Sequence, residues 1–188
     1  MGATLLTLLL LLSPREILIR GRDYFGPVKV SSFLLDSNRV LLLDVDGDHK
    51  ADTLSAEFLQ IQWCLRVRAH RSEVLLDLVD AEKLMEYPDG EFYAEVTTAY
   101  LTGEEKPVLL VAVEGFPALG NSFWIYDIYN TARGLRAETL LEVRDAGWAN
   151  SPVFVKPGHI EIRHFRNWII ARYVWDGEKF VDMTPKEE

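Results

Sequence analysis

The feature that most constrains this chain is a repeat in its middle. Residues 43–56 (LDVDGDHKADTLSA) align without gaps with residues 99–112 (AYLTGEEKPVLLVA), 56 positions on. Gly47 falls on Gly103, Lys50 on Lys106, Leu54 on Leu110 and Ala56 on Ala112. Further along, residues 72–81 (SEVLLDLVDA) align with residues 137–146 (AETLLEVRDA), now 65 positions on. The nine extra residues of copy two are assigned to a loop over 114–122, because loops take insertions at little cost. Self-similarity at such a period signals stacked supersecondary units, each too small to bury its own apolar face.

Strand chemistry fills the repeat. Aromatic and β-branched residues dominate the apolar runs, and copy two predicts strands near 91–99, 108–113, 123–129 and 139–143. Residues 53–69 hold no Gly or Pro, and Ser55 offers a helix N-cap. The strand-like counterpart at 108–112 nonetheless favours strand there. Residues 159–163 alternate apolar and polar, as a half-buried strand face requires. Asp176-Gly177 between apolar runs predicts a hairpin, and Asp89-Gly90 predicts another. The chain therefore reads as all-β, with tandem antiparallel four-stranded repeats. Copy one covers about 39–81, copy two about 99–146, and closing hairpins cover 152–182, all within one domain over 23–188.

Copy one carries the chemistry. Asp44, Asp46, Asp48 and Asp52 stand at positions 1, 3, 5 and 9 of a nine-residue window, with Gly47 supplying freedom in the turn. Odd spacing in a tight loop lets alternate side chains converge, with the carbonyl of Lys50 closing the set. Calcium asks for six to eight such oxygens at about 2.3–2.6 Å, whereas magnesium demands stricter octahedral geometry. Without a cation each close carboxylate pair repels by about 1 kcal/mol even at the dielectric of water. The metal expected is Ca2+, with Asp44, Asp46, Asp48, Lys50 and Asp52 as ligands. The alternative is a solvated Asp-rich turn held by Asx-type hydrogen bonds and no ion.

The loop is not an EF-hand, which wants Gly at position 6 and Glu at position 12 where this chain has His49 and Ser55. The run DVDGDHKADTL instead resembles the FG-GAP/VCBS-type repeat of β-propeller proteins. The tail around Asp176-Gly177 is similar to closing hairpins in small exported bacterial proteins that carry such a loop. The resemblance implies propeller-blade-like sheets, four aspartate side-chain ligands and a Lys50 carbonyl ligand. His49 departs from the family's Gly and is expected to strain the turn. Copy two has Tyr100, Thr102, Glu104 and Val108 at the ligand positions and is expected to bind no metal. Repeats of about 60 residues leave room for three blades, and a closed propeller needs at least four.

An enzymatic reading also starts at Asp44. Residues 40–47 (VLLLDVDG) resemble the opening of haloacid-dehalogenase phosphatases, which implies Asp44 as nucleophile, Asp46 as acid/base and magnesium. That family needs alternating helices and parallel strands downstream, and the hairpin-rich sequence offers none. No other catalytic motif appears; His159 and His164 fall on opposite faces of a strand, and His70 reads as part of a solvated turn. Trp63, Trp124, Trp168 and Trp175 lie in apolar runs and read as core, while Trp148 is the candidate for an exposed ring. The formal charge of −9 argues against nucleic acid and anionic membrane surfaces. Cys64, the only cysteine, excludes an internal disulfide and a thiolate zinc cage and reads as a small core hydrophobe.

Residues 1–22 read as an atypical export leader built on the apolar run 5–12, or else as a short buried helix or strand of the fold. No run reaches the length of a membrane-spanning helix. These features together give the expected function: a non-enzymatic calcium-binding β-repeat module, periplasmic or secreted, with a structural role or a protein or glycan partner.

Overall fold

The structure is a computed structural model and describes residues 19–21, 31–69, 71–79, 91–103, 105–116, 119–144, 151–164 and 168–185. It is all-β. The first sheet is a four-stranded antiparallel meander of β3 (Val40–Leu43), β4 (Asp52–Leu59), β5 (Gln62–Ala69) and β6 (Ser72–Val79). The second is the meander β7 (Glu91–Ala99), β8 (Val108–Phe116), β9 (Leu119–Thr131) and β10 (Gly134–Val143), with β2 (Ser31–Leu34) added antiparallel beside β7. The third comprises β11 (Val153–Lys156), β12 (His159–Arg163), β13 (Ile169–Trp175) and β14 (Phe180–Asp182). Its outer neighbour is β1 (Ile19–Gly21), which runs parallel to β11. Among the described residues the three sheets remain separate and form no closed barrel.

The repeat seen in the sequence is a repeat of register. Leu43 pairs with Asp52 and Val40 with Ser55; 56 positions on, Ala99 pairs with Val108 and Val96 with Val111. The loops between these strands also match. Gly47 and Gly103 have φ of 79° and 81°, and Val45 and Leu101 are both buried. Lengthening of copy two falls elsewhere than expected. Residues 114–116 and 119–122 belong to β8 and β9, so the strands run on through the region assigned to a loop. Much of the extra chain lies at the far hairpin. Ala69 pairs with Ser72 at the β5–β6 turn, whereas Ala137, the counterpart of Ser72, pairs with Ile128. Three further pairs then follow, down to Gly134 with Thr131.

Alternation of side chains assigns the faces. Leu41, Leu54, Leu65, Val67 and Leu76 of the first sheet pack with Val96, Leu109, Val111, Trp124 and Tyr126 of the second. The other face of the second sheet, with Leu110, Ala112, Phe123 and Ile125, packs with Val153, Val155, Ile160 and Ile162 of the third. A sheet covered on both sides needs apolar residues at consecutive positions, which is why 108–113 and 123–126 read as unbroken apolar runs.

Residues 53–69 are strand, as expected, but they hold two strands and a turn at Gln60-Ile61, where Gln60 itself takes φ of 57°. Trp124 is buried, but Trp168 stands half exposed just ahead of β13, stacked on His164 at 3.7 Å. The expectation that Trp168 is core is therefore corrected: it precedes the strand and never reaches the inter-sheet layer. Cys64 is buried, as a small core residue should be. Residues 1–18 of the suggested leader, the Asp89-Gly90 turn, His70 and Trp148 lie outside the described residues. Among the described residues no helix is long and apolar enough to cross a membrane.

Candidate metal centre

The loop between β3 and β4 is organised by its own carboxylates. Asp44 accepts from the Gly47 amide at 2.8 Å with Oδ1 and from the His49 amide at 3.0 Å with Oδ2. Asp46 Oδ1 accepts from the Asp48 amide at 3.2 Å, and Asp48 Oδ1 from the Lys50 amide at 2.8 Å. These are the Asx-type bonds that acidic side chains offer a turn. Gly47 meets the positive φ without cost, whereas His49 takes φ of 64° as a residue with a side chain.

Asp44, Asp46 and Asp48 each present a carboxylate oxygen, and these oxygens lie within 4.8 Å of one another. Both oxygens of each carboxylate already accept one bond, but a carboxylate has about four lone-pair sites, which leaves capacity for a cation. Three half-buried carboxylates so placed can hold a metal ion. Lys50 answers them with Nζ 3.1 Å from Asp48 Oδ2, but it is 72% exposed. An exposed pair of this kind contributes about 0–1 kcal/mol.

Asp52 stands apart from that trio. It is buried at the first position of β4, and its Oδ2 accepts from the Val45 amide at 3.1 Å. Burial raises the pKa of its carboxyl, the Val45 amide opposes this, and the charges of Asp46, Asp48 and Asp44 raise it further. The acidic field of the loop is thus felt at Asp52 even though its oxygens are not in the close group.

Two contacts tie the loop to the second sheet. Asn130 on β9 donates from Nδ2 to Asp46 Oδ2. A side chain at Gly47 would meet Lys106 Cγ at 2.8 Å and Pro107 Cδ at 3.1 Å, so the turn lies close against the equivalent loop of copy two. Sequence reasoning missed Asn130, which lies 84 positions from Asp46 and carries no local signal. Of the histidines, His164 is buried against Trp168 and His159 lies beside Glu161, so the two make no shared site.

Fold and site define a class: an antiparallel β-repeat protein of three stacked sheets, with a carboxylate loop able to hold a metal ion. No family model, curated protein or solved structure matches the chain.

Proposed function

We propose that this chain is a calcium-binding, non-enzymatic β-repeat module of FG-GAP/VCBS-like type. Its ion would staple the β3–β4 loop and stiffen the contact between the first two sheets. One observation carries the reading. The loop of copy two keeps the register, the buried anchor at Leu101 and the positive φ at Gly103, yet has Tyr100 and Thr102 where copy one has Asp44 and Asp46. The turn of copy two therefore closes without aspartates, so the turn shape alone does not require three of them, although in copy one they also hold its amides. A hard cation accounts for their gathering, because carboxylate oxygens are its preferred ligands. Asp44, Asp46 and Asp48 are the central ligands in this reading, with Asp52 and the Lys50 carbonyl completing the set.

A strained His49 and amide-bonded carboxylates suit the weak affinities of extracellular calcium modules, about 10⁻⁴–10⁻³ M. That regime fits a periplasmic or secreted protein with a structural role or a protein or glycan partner. The phosphatase reading has less support. Its nucleophile would follow a strand of a parallel, helix-flanked sheet, whereas Asp44 follows the edge strand of an antiparallel meander.

Calcium is expected to raise the melting temperature of the wild type, and Asp48→Ala to remove the rise. At 100 times the dissociation constant the gain is about 2.7 kcal/mol if only the folded state binds. A melting curve unmoved by calcium or chelator points to the solvated turn instead. Hydrolysis of a generic phosphate ester that Asp44→Asn abolishes would overturn the non-enzymatic reading.

A further inference from the structure

A second charged cluster is built on the third sheet by register alone. Lys156 lies opposite His159, Phe154 opposite Glu161, and Glu161 opposite Arg172. Directly opposed residues of antiparallel strands share a face, with Cβ atoms about 4.5–5.5 Å apart. The alternate residues Val153, Val155, Ile160 and Ile162 turn into the core shared with the second sheet. The charged residues are therefore on the sheet's outer face.

Glu161 is the centre of this group and is buried. His159 Nε2 lies 3.0 Å from its Oε1, Arg163 Nε donates to its Oε2 at 2.8 Å, and an Arg172 terminal nitrogen lies 3.3 Å from Oε1. Arg163 also stands over the Phe154 ring, 4.7 Å from its centroid. One carboxylate thus fixes two guanidinium groups and an imidazole.

The charges do not balance. Within this group Lys156, Arg163 and Arg172 bring three positive charges to the one carboxylate of Glu161, a formal surplus of two before any charge on His159, in a chain whose net charge is −9. Donor capacity is left over as well. Lys156 is exposed and has no ion pair or hydrogen bond among the described residues.

Beside these groups is a cavity of about 60 Å³ lined by Phe154, Val155, Lys156, His159, Glu161 and Arg163. A water needs roughly 10–15 Å³ on this measure, so the space suits a few waters or one small oxyanion. The geometry points to an oxyanion-binding cleft on the outer face of the third sheet, in which Lys156 and His159 grip the anion and Arg163 forms a fixed wall. Glu161 is a positioning residue that holds Arg163 and His159 in place. The surplus of positive charge selects a dianion, so the chemical class is phosphate or sulfate, free or as the end group of a larger molecule. This inference is independent of the calcium reading.

The test is calorimetric titration of the full chain, without added calcium, with inorganic phosphate, sulfate and acetate at matched ionic strength, and with potassium chloride as the control. Phosphate and sulfate are expected to bind saturably at one site, and acetate about tenfold more weakly or not at all. Lys156→Glu is expected to weaken phosphate binding about tenfold or more, and Lys156→Arg to stay within about threefold of wild type. Lys156 is exposed, so its variants are expected to keep the wild-type melting curve. Absence of saturable phosphate binding, equal binding of acetate, or wild-type affinity in Lys156→Glu would each overturn the cleft. A phosphate monoester that binds more tightly than free phosphate would assign the site to an end group on a larger ligand.

Discussion

His49 stores strain that a single substitution reads out. Its φ of 64° is the left-handed conformation, which costs a non-glycine residue about 1–3 kcal/mol, toward the low end for His. Glycine removes that strain but gives the unfolded chain more freedom, worth about 0.4–1 kcal/mol against folding. The contact of His49 Nδ1 with Asp44 at 3.7 Å is exposed and contributes little. His49→Gly is therefore expected to raise the melting temperature. Because Asp44 already holds the Gly47 and His49 amides, the rise should appear with or without calcium. A lower melting temperature would mean that His49 sits in this turn without strain. Glu161 offers a second readout at the same scale. Burial alone would raise its pKa, but His159 and Arg163 overcome that and hold it at about 2, below the ordinary 4.5. A carboxylate depressed in the folded state contributes stability above its unfolded pKa and loses it as pH falls through the folded one. Glu161→Gln is thus expected to be less stable than wild type near neutral pH, with the gap closing between pH 4.5 and about 2. Melting curves across that range check it, and a gap independent of pH would separate the stability of Glu161 from its charge.

The two matched loops form a natural pair of controls. Gly47 and Gly103 share their backbone conformation, so replacing either with Ala incurs the same left-handed penalty of about 1–3 kcal/mol. Their surroundings differ. A Cβ at Gly103 meets nothing within 4 Å, while one at Gly47 runs into Lys106 and Pro107. Lys106 is flexible, but it is also paired with Asp127 and lies near the Tyr129 ring at 5.4 Å, so displacing it loosens these contacts. Gly47→Ala is expected to lower the melting temperature more than Gly103→Ala, with the excess reporting how closely the acidic loop is seated on its neighbour. Equal effects would show that backbone strain alone governs both positions.

The middle sheet contributes residues to both cores. Leu109 and Leu110 are adjacent on β8 and fully buried, Leu109 in the core shared with the first sheet and Leu110 in the core shared with the third. Truncation of a buried Leu to Ala costs about 2–5 kcal/mol. Each substitution is expected to cost that much and to leave a single unfolding transition in calorimetry, because β8 belongs to both cores. Two resolved transitions in either variant would mean that an outer sheet unfolds by itself. The third sheet is also held by a bond from the Gly158 amide to the Leu101 carbonyl at 2.7 Å, so the loop of copy two contacts the next sheet as the loop of copy one contacts its own neighbour.

Strand content, the matched repeat and the acidic loop were all legible in the sequence because each rests on local chemistry. Apolar alternation marks half-buried strands, unbroken apolar runs mark strands as well, and aspartates at odd spacing converge within one turn. The run 108–113 reads as strand and Gly47 aligns with Gly103, whereas the cover of that strand on both faces is shown by the structure alone. What the sequence hid depended on contacts between distant residues or on turns without the usual residues. Gln60 takes a left-handed conformation with no glycine to signal it. The extra residues of copy two lengthened strands, because β9 and β10 keep pairing out to Thr131 and Gly134. Asn130 reached Asp46, and Lys156, His159, Glu161 and Arg172 met on one face, only when pairing register brought separate strands together. Local pattern sets which residues turn inward, and tertiary register alone sets which of them meet.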